Sequence, residues 1–174
     1  MEHDRAGIDP FSAPVRLALG STSSPRQIAR HPVTTPLRIF VVENHPDTLV
    51  YLRRYLEAMG HTVQIAHDME TALARFPETR ADLLVSDIGL PDGDGWQLLE
   101  RLGPPQAFLA VAMSGCGANA DKKRSRAAGY RHHLLKPFLP DELDPILAEA
   151  AQLAAERQAQ RDTSSLRGIS ESGA

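Results

Sequence analysis

Five polar side chains fall where short apolar runs end. Glu43 and Asn44 follow LRIFVV (37–42), Asp87 follows DLLVS (82–86), Ser114 follows AFLAVAM (107–113), and Lys136 follows the run that closes at 133–135. Together they offer two carboxylates, an amide, a hydroxyl and an ammonium, a set suited to an oxyanion beside a hard divalent cation. Mg²⁺ prefers oxygen ligands, keeps several waters, and is typically held by one or two carboxylates plus phosphate oxygens. A carboxylate can also attack phosphorus to give an aspartyl phosphate. Lysine and serine would then bind the oxygens of the transferred group.

Those residues can meet only if the runs before them are neighbouring strands. The periodicity predicts strands over 37–42, 62–66, 82–86, 107–113 and up to 135. Between them, Leu49, Leu52, Leu56 and Met59 recur at helical spacing before Gly60, and further helices are predicted over 69–76, 96–102 and 119–128. A last helix begins near Asp141–Asp144, whose acids suit the positive end of its dipole. Five β–α repeats with nearly all-apolar strands imply an α/β fold, a parallel sheet covered on both faces. In such a sheet the ligand site lies at the carboxyl ends of the strands, where the strand order reverses.

Composition narrows the function classes. The chain has 174 residues and a formal charge of −3, which gives no reason to expect nucleic acid or an anionic membrane as partner. Cys116 is the single cysteine, excluding an internal disulfide framework and any multi-cysteine metal site. The longest apolar runs, about seven residues, fall well short of the ~20 a membrane span needs, and no signal-like start is present. The expectation is a reduced, cytoplasmic protein. Residues 1–36 carry Pro10, Pro14, Pro25, Pro32 and Pro36 without a sustained period, and read as a disordered arm. Residues 159–174 are polar and small and read as a disordered tail, leaving one domain over 37–158.

The segments VVENHPDT, LLVSDIGLPDGDGW, AMSG and HHLLKPF, in this order and spacing, resemble the receiver domain of two-component response regulators. The resemblance covers about 37–158 and implies the flavodoxin-like doubly wound sheet, strand order 2-1-3-4-5. It makes Asp87 the phosphoacceptor, Ser114 the hydroxyl that closes on the phosphoryl group and Lys136 the ammonium that binds it. It implies Mg²⁺ held by Glu43, Asn44, Asp87 and the main-chain carbonyl of Gly89, a cis peptide at Lys136-Pro137, and a switch side chain at His133. One position departs from the family pattern. Asn44 replaces the second of two adjacent acids, so weaker metal binding is expected. Cys116 would border the phosphoryl pocket.

Plainer roles fit the remaining motifs. Asp92 and Asp94 read as turn and cap residues, Gly93 and Gly95 as backbone requirements, and Trp96 as packing at a helix start. His132 and His133, adjacent on a strand, must point to opposite faces and cannot form a metal pair. Lys122, Lys123, Arg124 and Arg126 read as a solvated helix face on the surface where receivers meet partners.

The resulting expectation is a stand-alone, single-domain response regulator that takes a phosphoryl group from a histidine kinase or histidine phosphotransfer protein. It would act as no enzyme beyond its own phosphorylation and dephosphorylation. It would signal by protein contact, with an unknown downstream protein or as a homodimer. The alternatives are a non-switching pseudo-receiver, an aspartyl-nucleophile phosphatase, and a piece of a hybrid kinase. Gly89, where such a phosphatase needs a second acid, opposes that reading.

Overall fold

The computed structural model describes residues 35–171 apart from 116 and 118. The expected arm, except Thr35 and Pro36, and Cys116 lie outside the described residues. Five strands form one parallel sheet: β1 (Arg38–Val42), β2 (Thr62–Ala66), β3 (Leu83–Asp87), β6 (Leu109–Ser114) and β7 (His132–Leu135), in the order β2-β1-β3-β6-β7. Counting these strands alone, that is the expected 2-1-3-4-5. The segment expected to be a plain turn after Asp87 contains a two-residue antiparallel pair, β4 (Gly89–Leu90) with β5 (Gly93–Asp94).

The strands bury both faces because their side chains alternate between two apolar layers. Ile39, Val41, Leu83, Val85, Val111 and Met113 face one cluster. There they meet Leu49, Leu52 and Leu56 of α1 (Pro46–Ala58) and Leu143, Ile146 and Leu147 of α5 (Asp144–Glu171). Phe40, Val42, Leu84, Ala110 and Ala112 face the other, against Met69, Ala72 and Phe76 of α2 (Met69–Thr79) and Leu98 and Leu99 of α3 (Gly95–Leu102). With so few aromatics, one aromatic stack is central to the second layer. Phe76 stands edge-on to both Phe40 and Phe108, with ring centroids 5.4 and 4.8 Å away.

The helix ends follow local chemistry. Gly60, at φ +91°, lets the chain leave α1, where the Gly60 and His61 N–H groups return to the Glu57 and Leu56 carbonyls. Asp68 caps α2 by accepting from the Thr71 N–H, and Asp92 adds the Met69 and Glu70 N–H groups, both at 2.8 Å. Asp94 caps α3 through the Gln97 N–H. Asp92 and Asp94 are thus the turn and cap residues expected of them. One boundary is corrected: α5 runs on to Glu171, so the tail expected from 159 is helical to that point. Small polar residues suggest a loop, yet no proline interrupts them. A side-chain pair four residues apart also supports the helix, with Gln158 donating to Asp162.

His61 closes the edge between α1 and β2. It is buried, and its Nδ1 accepts the Leu37 N–H at 3.2 Å, which only the neutral ring can do. Burial lowers its pKa from the ordinary 6.5. The folded chain therefore binds fewer protons here than the unfolded chain. The stabilisation is complete above the unfolded value and drains as pH falls through the lower folded one. Denaturant midpoints measured from pH 7.5 to 5 should fall with acidification, and His61→Asn should fall less steeply over the same range.

Candidate functional site

Register determines which side chains share the sheet edge. Val42 pairs with Ser86, Asp87 with Met113, and Ser114 with Leu135. One step further along each strand direction come Glu43, Ser114 and Lys136, so these stand beside Asp87 at the carboxyl ends. The order reverses between β1 and β3, since β2 lies on the other side of β1. Glu43, Asn44, Asp87, Gly89, Ser114 and Lys136 all line one cleft of about 640 Å³.

Charge in the cleft is organised around Lys136. Its ammonium lies 2.5 Å from Glu43 Oε2 and 2.8 Å from Asp87 Oδ2. Glu43 is fully buried, and its other oxygen accepts the His45 N–H at 2.9 Å. A buried carboxylate needs such partners, because removal from water costs several kcal/mol unless pairing offsets it. Asp87 Oδ1 accepts the Gly89 N–H at 3.1 Å. The Lys136-Pro137 peptide is cis, as the sequence resemblance implied.

Gly95 has a tighter role than conformational freedom. A Cβ there would lie 2.5 Å from the Asp87 carbonyl oxygen and 3.0 Å from Ile88 Cδ1. The Gly95 N–H also bonds the Ile88 carbonyl, and its own carbonyl accepts the Tyr130 hydroxyl at 2.6 Å. The backbone of α3 thus butts directly against the main chain carrying Asp87. Only glycine permits that approach.

Behind Ser114 runs a side-chain relay of which the sequence marks Ser114, His133 and Trp96 but not the link between them. Ser114 Oγ and His133 Nε2 are 2.8 Å apart, as are His133 Nδ1 and Ser125 Oγ, and the Trp96 indole N–H donates to Ser125 Oγ at 2.9 Å. Ser125 is the buried residue of α4 (Asn119–Ala128), lying on an otherwise largely exposed, charged helix. Its sole signal in the sequence is being uncharged among Lys122, Lys123, Arg124 and Arg126. Burial, with the nearby Lys122 charge, holds the His133 pKa below its ordinary value. The ring is therefore neutral at pH 7, with one nitrogen donating and the other accepting. Trp96 does more than pack: Arg124 stacks over its ring at 3.8 Å and also reaches Asp94 at 3.3 Å. His132 faces the other way and pairs with Glu149 at 2.6 Å, so the two histidines point to opposite faces as expected.

Lys136 holds a buried charge in place, so its loss should cost more than the loss of Asp87. Lys136→Met leaves Glu43 buried without its cation and should destabilise by about 3 kcal/mol. Asp87→Asn leaves the Lys136–Glu43 pair whole and should cost under about 1 kcal/mol. Urea unfolding of both variants measures the difference; equal losses would mean that the ammonium is not the organising charge.

Comparison with known proteins agrees with this geometry. The response regulator receiver domain family matches residues 39–148. The virulence sensor protein BvgS of Bordetella pertussis is 32% identical over 152 residues, covering 83% of this chain and 12% of that protein. The sensor protein EvgS of Escherichia coli K12 is 30% identical over 129 residues, covering 72% of this chain and 11% of that protein. The chain thus spans about a tenth of the length of these sensors. Among solved structures, a CheY-like receiver domain protein from Methanospirillum hungatei superposes with a TM-score of 0.63 at 28% identity, over 70% of this chain and 99% of that one. The chemotaxis response regulator CheY4 of Vibrio cholerae gives 0.61 at 22% identity, over 67% and 99%. Family match, strand order and the strand-end cleft converge: the chain belongs to the response regulator receiver domain family, a family of two-component signalling domains.

Proposed function

We propose that this receiver takes a phosphoryl group from a phosphohistidine onto the Asp87 carboxylate. The observation that carries the reading is the Lys136 ammonium, 2.8 Å from Asp87 Oδ2 in a cleft shared with Ser114. In the transfer, an Asp87 oxygen attacks phosphorus as the N–P bond of the donor imidazole breaks. The new O–P bond forms in line with the one that leaves, and the freed imidazole keeps the bonding electron pair. Lys136 then has a phosphoryl oxygen to bind in place of the bare carboxylate, and the Ser114 hydroxyl can donate to another.

Receiver domains generally bind Mg²⁺ for phosphorylation, and the donor set here suits that ion. Glu43, Asn44, Asp87 and Gly89 all line the cleft and present oxygen ligands. In this reading Asp87, the Asn44 amide and the Gly89 carbonyl would hold the ion. Glu43, with both oxygens engaged by Lys136 and the His45 N–H, would contribute its charge from behind them. Bound Mg²⁺ would supply charge neutralisation between the carboxylates and the incoming phosphoryl oxygens. Asn44 adds no charge, which makes the site weaker than one with two adjacent acids.

His133 is the switch in this reading. When Ser114 turns to the phosphoryl group it gives up its place on His133 Nε2, and the ring, Ser125 and Trp96 must re-pair. The signal then passes through α4, β7 and α5 to a partner protein or a second copy. The donor would be a histidine kinase or histidine phosphotransfer protein. Exposed Val50, Tyr51 and Leu139 offer a partner apolar contact. Such partners draw on intracellular ATP, which gives the reading its cytoplasmic location; among the described residues no helix is long and apolar enough to cross a membrane. In this reading the chain has no enzymatic activity beyond its own phosphorylation cycle.

Intact mass after incubation with acetyl phosphate should rise by one phosphoryl group with Mg²⁺ and stay unchanged in Asp87→Asn. No gain at any Mg²⁺ concentration would favour the alternative, a pseudo-receiver that binds partners constitutively. Asn44→Asp should tighten Mg²⁺ binding by about tenfold, read by titration, because affinity follows ligand charge. Trp96 is the one tryptophan, so its fluorescence should change on phosphorylation, and His133→Phe should suppress that change while leaving the mass gain.

A further inference from the structure

A second cavity of about 330 Å³ lies at the opposite end of the sheet, beside the first residue of β1 and the residues just before β3 and β6. Four guanidinium groups line it, those of Arg38, Arg80, Arg157 and Arg161, against the single carboxylate of Asp82. That carboxylate is already committed. Arg38 grips it through Nε at 3.1 Å and Nη2 at 2.8 Å, and the Arg38 N–H adds a third bond at 3.0 Å. Burial opposes ionisation of Asp82, yet these bonds hold its pKa below the usual carboxylate range.

Arg157 is left over. Its Nη2 is closed off from solvent and has no hydrogen-bond partner among the described residues; Asp82 Oδ1, at 4.0 Å, is out of hydrogen-bond reach. A buried guanidinium N–H without an acceptor is costly and calls for an anionic one. Burial lowers the Arg157 pKa, and Arg161 and Arg38 nearby add to the shift against the attraction of Asp82. Arg80 adds a third cation from the end of α2, held in the left-handed region at φ 47°, which costs energy for any residue but glycine.

The other wall is apolar, built from Phe76, Pro77, Leu102 and Phe108. A guanidinium cluster facing an apolar wall suits a ligand with a doubly charged head and a carbon body. Phosphate is the better head than carboxylate, because its oxygens can take paired N–H groups from more than one arginine. We infer that this cavity is a binding site for a small organic phosphate, its phosphate held by Arg157, Arg80 and Arg161 and its carbon body against Phe76, Pro77 and Phe108. The site is separate from the phosphoacceptor cleft, and it does not depend on the proposed phosphotransfer.

Phenyl phosphate is a direct probe. In EDTA-containing buffer, which keeps the Asp87 cleft free of metal, it is titrated into the full chain and followed by ¹H–¹⁵N spectra, including the arginine Nε–Hε signals. Saturable shifts are expected at Arg80, Arg157 and Arg161, with tighter binding than inorganic phosphate. Arg157→Gln should weaken binding about tenfold or more while the rest of the amide spectrum stays in place. If that variant does not fold, Arg161→Gln, on the exposed turn of α5, should still weaken binding severalfold. Shifts that never saturate, shifts confined to the Asp87 cleft, or equal affinity in the folded variant would each overturn the inference.

Discussion

Two carboxylates cannot stand side by side at the edge of a sheet, one of them fully buried, unless a cation is held between them. Lys136 supplies that cation from just beyond β7, two strands from Asp87 and three from Glu43, and the rest of the cleft depends on it. Neighbouring strands are about 4.8 Å apart, so the long lysine side chain crosses β6 to meet the Asp87 and Glu43 carboxylates. The parallel register is what makes the crossing possible, because each of β1, β3, β6 and β7 ends within one residue of its neighbour. Shorter reach or a one-residue slip would leave Glu43 buried without its partner. The same ammonium therefore stabilises the fold and, in the proposed transfer, would be placed for the phosphoryl oxygens.

The cleft is connected to the molecular surface through polar contacts rather than through a single aromatic ring. An aromatic side chain at the His133 position could report on Ser114 only by occupying or leaving space. A neutral imidazole is bonded on both sides, to Ser114 and to Ser125, and Ser125 is bonded in turn to Trp96 of α3. Each member has a fixed complement of donors and acceptors, so a change at one end must be matched along the line. The relay thereby joins β6, β7, α4 and α3, and Arg124, stacked on Trp96, extends it to the exposed face of α4.

Much of this arrangement is legible in the amino-acid sequence. Nearly all-apolar runs separated by helical periods dictate a doubly covered parallel sheet, and a site in such a sheet must lie at the carboxyl ends. Asp87, Ser114 and Lys136 stand out because polar residues close apolar runs. Ser125 and Asp82 do not stand out, since their importance comes from contacts with His133 and Arg38, which arise only when the elements pack. Gly95 reads as a turn requirement, whereas its real constraint is the Asp87 carbonyl 2.5 Å from where a Cβ would sit. The tail from 159 misleads for another reason. Low hydrophobicity removes the packing signal for a helix, but it does not remove the helix when no proline intervenes.

The two ends of the sheet have opposite electrostatic character, and strand direction is the link between them. At the carboxyl ends, acids gather around one lysine; at the amino ends, arginines gather around one aspartate. In each case a single oppositely charged residue is shared out among too many claimants. Lys136 divides itself between Glu43 and Asp87, so an added phosphoryl group meets a cation that is already in place and needs no reorganisation. Asp82 is taken up by Arg38, so Arg157 remains short of an acceptor. The strand between them is common to both: β3 begins just after Asp82 and ends at Asp87. Four fully buried residues, Leu83 to Ser86, thus separate a residue that anchors a cation cluster from the residue that would carry the phosphoryl group. Any ligand that pulled on the Asp82 end would act on the same strand that fixes Asp87.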